Sequence, residues 1–106
     1  MPYLSIQIVR FVSKDQPGVV AAEFTDALGQ QHTIVDKVPV IAPHLWSDST
    51  YPQPGEAACE VLEGSRDAQK RDVVRITIAE PWNLESLDGE TEFLVFASQI
   101  TNQPTG

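Results

Sequence analysis

The sequence is poor in the residues that cross-link a chain, bind metals or take part in catalysis. It holds one cysteine, Cys59, and two histidines, His32 and His44, among 106 residues. A single thiol forms no disulfide within its own chain, which argues against a small secreted module built on disulfide bonds. The sequence also shows no glycine-rich phosphate loop, no zinc-ligand spacing and no calcium-loop pattern. We therefore expect no metal and no cofactor.

Positive charge is scarce as well. Seven Lys and Arg stand against 15 Asp and Glu, which gives a formal net charge of −8. Nucleic acids and anionic membranes are bound largely through clusters of Lys and Arg, so we expect neither as a partner. No apolar stretch is long enough to cross a bilayer, and the first residues lack the pattern of a secretory signal peptide. These features predict a cytoplasmic protein whose macromolecular partner, if charged, is basic.

The residues that are present favour a small β domain. Hydrophobic residues make up 42% of the chain, which is enough for one core, and eight prolines and six glycines recur at short intervals. β-Branched residues fill the segments between them, as is typical of short strands. We predict a mainly antiparallel all-β domain over residues 1–100, followed by a flexible C-terminal tail at 101–106. The expected architecture is a small six-stranded barrel or sandwich, with one short helical turn at 84–87 or 97–100.

Alternation of apolar and polar residues predicts where the strands lie. The first strand is expected to bulge or bend at Val9 and Phe11, because the alternation of apolar and polar residues is broken there. The second and third strands should form a hairpin around Asp26–Gly29, with Gly29 at a positive φ. The fourth and fifth should form another, with the turn at 64–67. The predicted strands cover residues 3–12, 19–25, 31–38, 56–62, 72–78 and 91–96.

Two segments outside the strands carry the candidate functional residues. The connection 39–54 contains four prolines, too many for a central strand or a regular helix, and loops of this length are often functional. A second segment carries Trp82 and a carboxylate-rich turn at Asp88-Gly89. Loop aromatics anchor protein interfaces or stack on sugars, and an acidic face speeds the encounter with a basic partner. The candidate binding surface therefore consists of His44, Trp46, Asp48, Tyr51, Trp82, Glu85, Asp88 and Glu90.

Each of these residues also has a purely structural interpretation. The aromatic side chains would pack against the domain, and the carboxylates would form a solvated edge that blocks strand addition. Cys59 alternates with apolar residues on a predicted strand, which favours a small buried hydrophobe over a nucleophile. His32 adjoins the first hairpin turn and is expected to be an exposed polar residue.

The sequence favours binding over catalysis. We expect a non-enzymatic protein-binding module, such as a regulator, an inhibitor, an immunity-type protein or an accessory protein. The alternative is a small-molecule or carbohydrate-binding domain that uses the loop aromatics. A small hydrolase with His44 as its base ranks last, because a domain of this size has little room for both a core and a cleft. A homodimer formed through an uncovered edge strand is a further expectation.

Overall fold

The computed structural model describes residues 1–13, 18–37 and 52–102. Nearly all regular structure in these ranges is antiparallel β, as the sequence predicts. Among these residues no helix is long and apolar enough to span a bilayer. The only helical element described is one 3-10 turn, Ala97–Gln99, at the second of the two expected places. The strands are β1 Tyr3–Ser13, β2 Val19–Thr25, β3 Gln31–Lys37, β4 Gln53–Ala58, β5 Glu60–Arg66, β6 Asp72–Thr77, β7 Glu92–Phe96 and β8 Ile100–Thr101.

The strands form two sheets that face each other across the core. Sheet A has the order β3-β2-β1-β4, with β8 paired to the start of β1, and sheet B has the order β5-β6-β7. The alternating apolar positions of both sheets are buried, because hydrophobic area removed from water is the main driving force for packing. The core contains Leu4, Ile6, Ile8, Val20, Ala22, Phe24, Ile34, Ala57, Cys59, Ile76, Ile78, Leu84, Phe93 and Val95.

Of the two expected arrangements, the structure has the sandwich, and the barrel is not closed. At one border, the described strands of sheets A and B form no ladder with each other; instead, a loop of each sheet donates one backbone hydrogen bond to a border strand of the other sheet. Ala27 N donates to Leu94 O of β7 (2.8 Å), and Leu87 N donates to Thr33 O of β3 (2.9 Å). Isolated bonds of this kind hold the sheet borders together but do not form a continuous barrel wall.

The predicted fourth strand, 56–62, is wrong as one unit, because the chain changes sheets within it. Gln53–Ala58 belongs to sheet A and Glu60–Arg66 to sheet B. Cys59 lies between them, fully buried, and its backbone N donates to Pro2 O (3.1 Å). The small side chains at 57–59 fit this buried corner. The prediction that Cys59 is a small buried hydrophobe is confirmed.

The β2–β3 hairpin has the predicted strands and turn, and its loop is held by one aspartate. Asp26 N donates to Gln30 O (2.8 Å), which closes the loop. Asp26 Oδ1 accepts from Leu28 N and from Gln30 N, both at 2.9 Å. Gly29 has φ +85°, a conformation that glycine adopts without steric cost, so this prediction is confirmed.

The β5–β6 loop repeats this hydrogen-bond pattern, but three residues later than predicted. The predicted turn at 64–67 is wrong: the loop begins at Asp67, whose N donates to Arg71 O (3.0 Å). Asp67 Oδ1 accepts from Gln69 N and Arg71 N, both at 2.9 Å. Lys70, at φ +64°, takes the position that Gly29 holds in the first loop. The turn was predicted at Gly64 because glycine is a common turn residue, whereas a lysine does not indicate a turn.

The long first strand is irregular, and the C-terminal end takes part in strand pairing. The pairing of β1 with β2 shifts register between Ile8 and Arg10, so the predicted irregularity is confirmed. Thr101 pairs with Tyr3, which extends strand pairing into the segment that was expected to be tail. Residues 103–106 and Val38 lie outside the described residues.

Candidate functional site

The eight candidate residues divide into two groups. His44, Trp46, Asp48 and Tyr51 lie outside the described residues. The structure brings the other four together in the connection between β6 and β7. We call residues 78–91 the acidic loop, which contains Trp82, Glu85, Asp88 and Glu90.

The acidic loop is attached to both sheets through its backbone. At its base, Ala79 N donates to Thr77 Oγ1 of β6 at 3.1 Å. Within the loop, Ile78 N donates to Thr91 O and Leu84 N donates to Ile78 O, both at 2.8 Å. The side chain of Leu84 is buried in the core. In its second half, Leu87 N donates to Thr33 O of sheet A at 2.9 Å. The loop is therefore held at several points, although it contains neither helix nor strand.

The tip of the acidic loop is stabilised around a buried serine. Ser86 N donates to Glu90 O (2.9 Å), Gly89 N donates to Ser86 O (2.9 Å), and Glu90 N donates to Ser86 Oγ (3.1 Å). Gly89 has φ +80°, which confirms the turn predicted at Asp88-Gly89. These bonds fix the backbone, so the exposed side chains of Glu85, Asp88 and Glu90 start from defined positions.

The charge of the acidic loop has no cation beside it in sequence. The last Lys or Arg of the chain is Arg75. Its guanidinium lies 3.4 Å from Glu63 Oε1 and 4.0 Å from Glu92 Oε1, both outside the loop. Within the part of the chain that the structure describes, no ion pair involves the loop's exposed carboxylates, which are Glu80, Glu85, Asp88 and Glu90.

Two large apolar side chains stand among these carboxylates. Leu87 is 68% exposed and Trp82 is 41% exposed. The Trp82 ring meets Tyr3 of β1 edge-on, with ring centroids 6.2 Å apart, so the indole is packed on one side and open on another. A partly supported aromatic ring loses little conformational freedom when a partner covers it.

His32 is buried, so the prediction of an exposed residue is wrong. Its Nε2 lies 2.7 Å from Asp26 Oδ2, and its ring contacts Phe24 and Phe93 at centroid distances of 5.2 and 4.6 Å. The missed signal was strand alternation: His32 lies two residues before Ile34, which faces the core. A buried imidazole needs a hydrogen-bond partner, and the hairpin register supplies Asp26.

The carboxylate of Asp26 stays ionised although it is buried. Burial alone would raise the pKa of Asp26, but hydrogen bonds from His32, Gln30 and Leu28, together with the electrostatic attraction of His32, leave its pKa below the ordinary value. This pair holds the β2–β3 loop closed against the Phe24 and Phe93 rings. Its role in the fold is visible in the structure, and its side chains are not exposed to a ligand.

Sequence patterns also missed a buried glutamate on the outer face of sheet A. Glu56 pairs with Ser5 on the side opposite the core and is 6% exposed, and its Oε2 has no hydrogen-bond partner among the described residues. A glutamate between a glycine and an alanine gives no sign of burial. Among the described residues, no group of three or more His, Cys, Asp or Glu side chains is placed to hold a metal ion.

A polar groove of about 620 Å³ runs over the outer face of sheet A. Gln31 Nε2 donates to Glu23 Oε1 and Gln99 Nε2 donates to Thr25 O, both at 2.9 Å, so part of its lining is fixed. Trp82 does not line the groove. The polar side chains of the lining are Ser5, Gln7, Glu23, Thr25, Gln31, Gln53 and Gln99.

The single thiol is not suited to nucleophilic chemistry. Burial raises the pKa of Cys59 to about 11, so the thiol stays protonated near neutral pH.

Comparison with known proteins adds no functional assignment to this geometry: no protein-family model, no curated protein and no solved structure matches the chain.

Proposed function

We propose that this protein is a non-enzymatic binding module that meets a basic protein partner through the acidic loop. One observation carries the proposal. The loop backbone is hydrogen-bonded to Thr77 of sheet B and Thr33 of sheet A, while two apolar side chains and the carboxylates, which form no ion pair with any other described residue, are exposed to solvent. A loop that is ordered before binding loses less conformational entropy when the complex forms. A regulator, an inhibitor, an immunity-type protein or an accessory protein would each use such a surface, and the single cysteine supports a cytoplasmic setting.

Charge and apolar contact have separate roles in this proposal. The carboxylates Glu85, Asp88 and Glu90 attract a basic surface over about one Debye length, roughly 8 Å at physiological salt, and so increase the association rate. Trp82 and Leu87 then supply apolar area that leaves water on contact, which lowers the dissociation rate. A solvated acidic edge without a binding role would not need these two side chains to be exposed.

Removing the loop charges should weaken partner capture. We expect the triple variant Glu85→Gln, Asp88→Asn, Glu90→Gln to associate with the protein's partner at least about tenfold more slowly than the wild type. The variant keeps side-chain size, and Ser86 still accepts from the backbone of residue 90. The measurement is affinity capture from the native lysate at low and high salt, followed by association kinetics with the recovered partner.

A matched control removes the same charge elsewhere. Glu60→Gln, Glu63→Gln and Asp72→Asn neutralise three exposed carboxylates on β5 and β6. This control should bind as the wild type does. Equal binding by the acidic-loop variant, or failure of the wild type to recover a stoichiometric partner at either salt concentration, contradicts the proposal.

A second candidate function is binding of a small polar molecule or carbohydrate in the groove of sheet A. The observation that favours it is a lining rich in amides and hydroxyls, with one carboxylate, Glu23, around about 620 Å³, a volume within the range of small-molecule sites. Neutral amides donate and accept hydrogen bonds without the desolvation cost of charges, which suits sugar hydroxyls.

A titration with soluble oligosaccharides tests this second candidate. Saturable shifts of the backbone amide resonances of Ser5 and Gln7 are expected with at least one glycan, and Gln7→Leu should weaken that binding about tenfold through the loss of one or two hydrogen bonds. Gln69→Leu, on the β5–β6 loop away from the groove lining, is the control and should bind as the wild type does. A panel that shifts no groove resonance rules out this function.

A further inference from the structure

Glu23 is the only charged side chain among the described residues that line the groove of sheet A. The neighbouring strands place neutral residues directly opposite it, Gln7 of β1 and Thr33 of β3. The side chain of Glu23 lies on the face opposite the core, because the adjacent residues Ala22 and Phe24 belong to the core. Opposite charges that face each other stabilise a strand pair, and Glu23 has no such neighbour in either of its two pairs.

The carboxylate of Glu23 is held by one neutral partner, and its second oxygen is left over. Gln31 Nε2 donates to Glu23 Oε1 at 2.9 Å. Glu23 Oε2 forms no hydrogen bond or ion pair with any other residue that the structure describes. A hydrogen bond to a carboxylate is strongest when the donor is also charged. This oxygen is therefore suited to a donor that carries positive charge.

The rest of the groove offers neutral hydrogen-bonding groups, some of them in fixed positions. The amide of Gln99 is held at both ends, because its Oε1 accepts from Phe96 N at 2.8 Å and its Nε2 donates to Thr25 O at 2.9 Å. One Nε2 hydrogen of Gln99 and the side-chain carbonyl oxygen of Gln31 remain for a ligand. Groups that are ordered before binding lose little conformational freedom when a ligand arrives.

We propose that the groove binds a sugar with a free amino group, its ammonium placed on Glu23 and its hydroxyls on the surrounding amides. This inference rests on the second candidate function and names its ligand class. One positive charge matches the one carboxylate, and neutral donors and acceptors match hydroxyls. Sugars that carry carboxylates or phosphates are disfavoured, because Glu23 repels them and no Lys, Arg or His lies among the described lining residues. A lysine side chain fits less well, since its methylene groups would cover the amides and leave them without partners.

Titration of the full chain with a trimer of glucosamine tests the ligand class, and the N-acetylated trimer is its neutral counterpart. At about pH 6 the carboxylate is ionised and an amino group is protonated. We expect the glucosamine trimer to bind at least about tenfold more tightly than the N-acetylated one in about 0.15 M salt, because hydrogen bonds between charged groups are the stronger ones. The backbone amide resonances of Ser5 and Gln7 report both dissociation constants.

Glu23→Gln should remove this preference without disturbing the groove. Glutamine has the same size, and its side-chain carbonyl can still accept from Gln31 Nε2. The affinity for the glucosamine trimer should fall at least about tenfold, whereas that for the N-acetylated trimer should change by no more than about twofold. The temperature of unfolding should stay that of the wild type.

Glu60→Gln is the matched control, since it removes the same charge from an exposed position on β5, outside the groove lining. It should leave the preference unchanged. Equal loss of glucosamine binding in Glu60→Gln and Glu23→Gln overturns the inference, because the net charge would then attract the amine without a site. Equal affinity for the two trimers overturns it too, while the second candidate function stands. If neither trimer shifts a groove resonance the inference fails, and the second candidate function fails with it only when the rest of the panel is silent as well.

Discussion

Asp26→Ala is expected to lower the free energy of unfolding by about 3 kcal/mol, a large effect for a loop residue. The side chain accepts hydrogen bonds from Leu28 N, Gln30 N and His32 Nε2, and both it and His32 are buried. Alanine would leave the imidazole beside Phe24 without its partner, and an unsatisfied buried polar group costs more than a lost bond. Urea denaturation followed by circular dichroism measures the change.

Asp67→Ala is the matched control for Asp26→Ala. Asp67 accepts from backbone N–H groups two and four residues later, as Asp26 does, and its third partner is the exposed Arg71 Nε at 2.7 Å. Water can replace all three bonds at that site, so the loss of stability should be much smaller. An equal loss of unfolding free energy in the two variants would mean that the shared loop hydrogen bonds determine the effect. Burial of the Asp26–His32 pair would then make no additional contribution to stability.

The contribution of the Asp26 charge should also depend on pH. Its pKa in the folded protein lies below the ordinary value, so its ionised form contributes stability above the unfolded pKa of about 3.9. That contribution disappears as the pH falls through the lower folded value. We therefore expect the stability difference between wild type and Asp26→Asn to narrow on acidification below about pH 4.

Strands with one buried face were predictable because their side chains alternate. The predicted ends of β2 coincide with the observed strand, Val19–Thr25, and the hairpin that follows has the expected turn. The transfer of the chain between sheets at Cys59 was not predictable, since alternation continues through a corner. The position of the second turn was missed because Lys70 occupies a conformation that favours glycine.

The candidate site was predictable only where its residues are neighbours in sequence. Trp82, Glu85 and Asp88 share one connection, so their proximity follows from the chain itself. The hydrogen bond from Leu87 N to Thr33 O joins residues that are far apart in sequence, so no local sequence pattern predicts it. The buried Asp26–His32 pair lies between these cases. It follows from hairpin register, but only if the alternation of β3 is extended back to residue 32.

Two leucines of the acidic loop, three residues apart, should separate stability from binding. Leu84 is 2% exposed and belongs to the core, whereas Leu87 is 68% exposed. Leu84→Ala should lower the free energy of unfolding by about 3 kcal/mol, because it removes buried apolar area and leaves a cavity between the sheets. Leu87→Ala should change it by no more than about 0.5 kcal/mol.

Leu84→Ala should have the larger effect on stability, whereas Leu87→Ala should have the larger effect on the rate at which the folded protein dissociates from its partner. Leu87→Ala removes an apolar contact that the partner would cover, so complexes should dissociate faster by roughly tenfold although the fold is intact. Leu84→Ala should affect association more, because a loosened loop must be ordered again when the complex forms. If Leu87→Ala proves as destabilising as Leu84→Ala, its side chain is part of the packing. If it is neutral in both assays, the acidic loop acts through its charge alone.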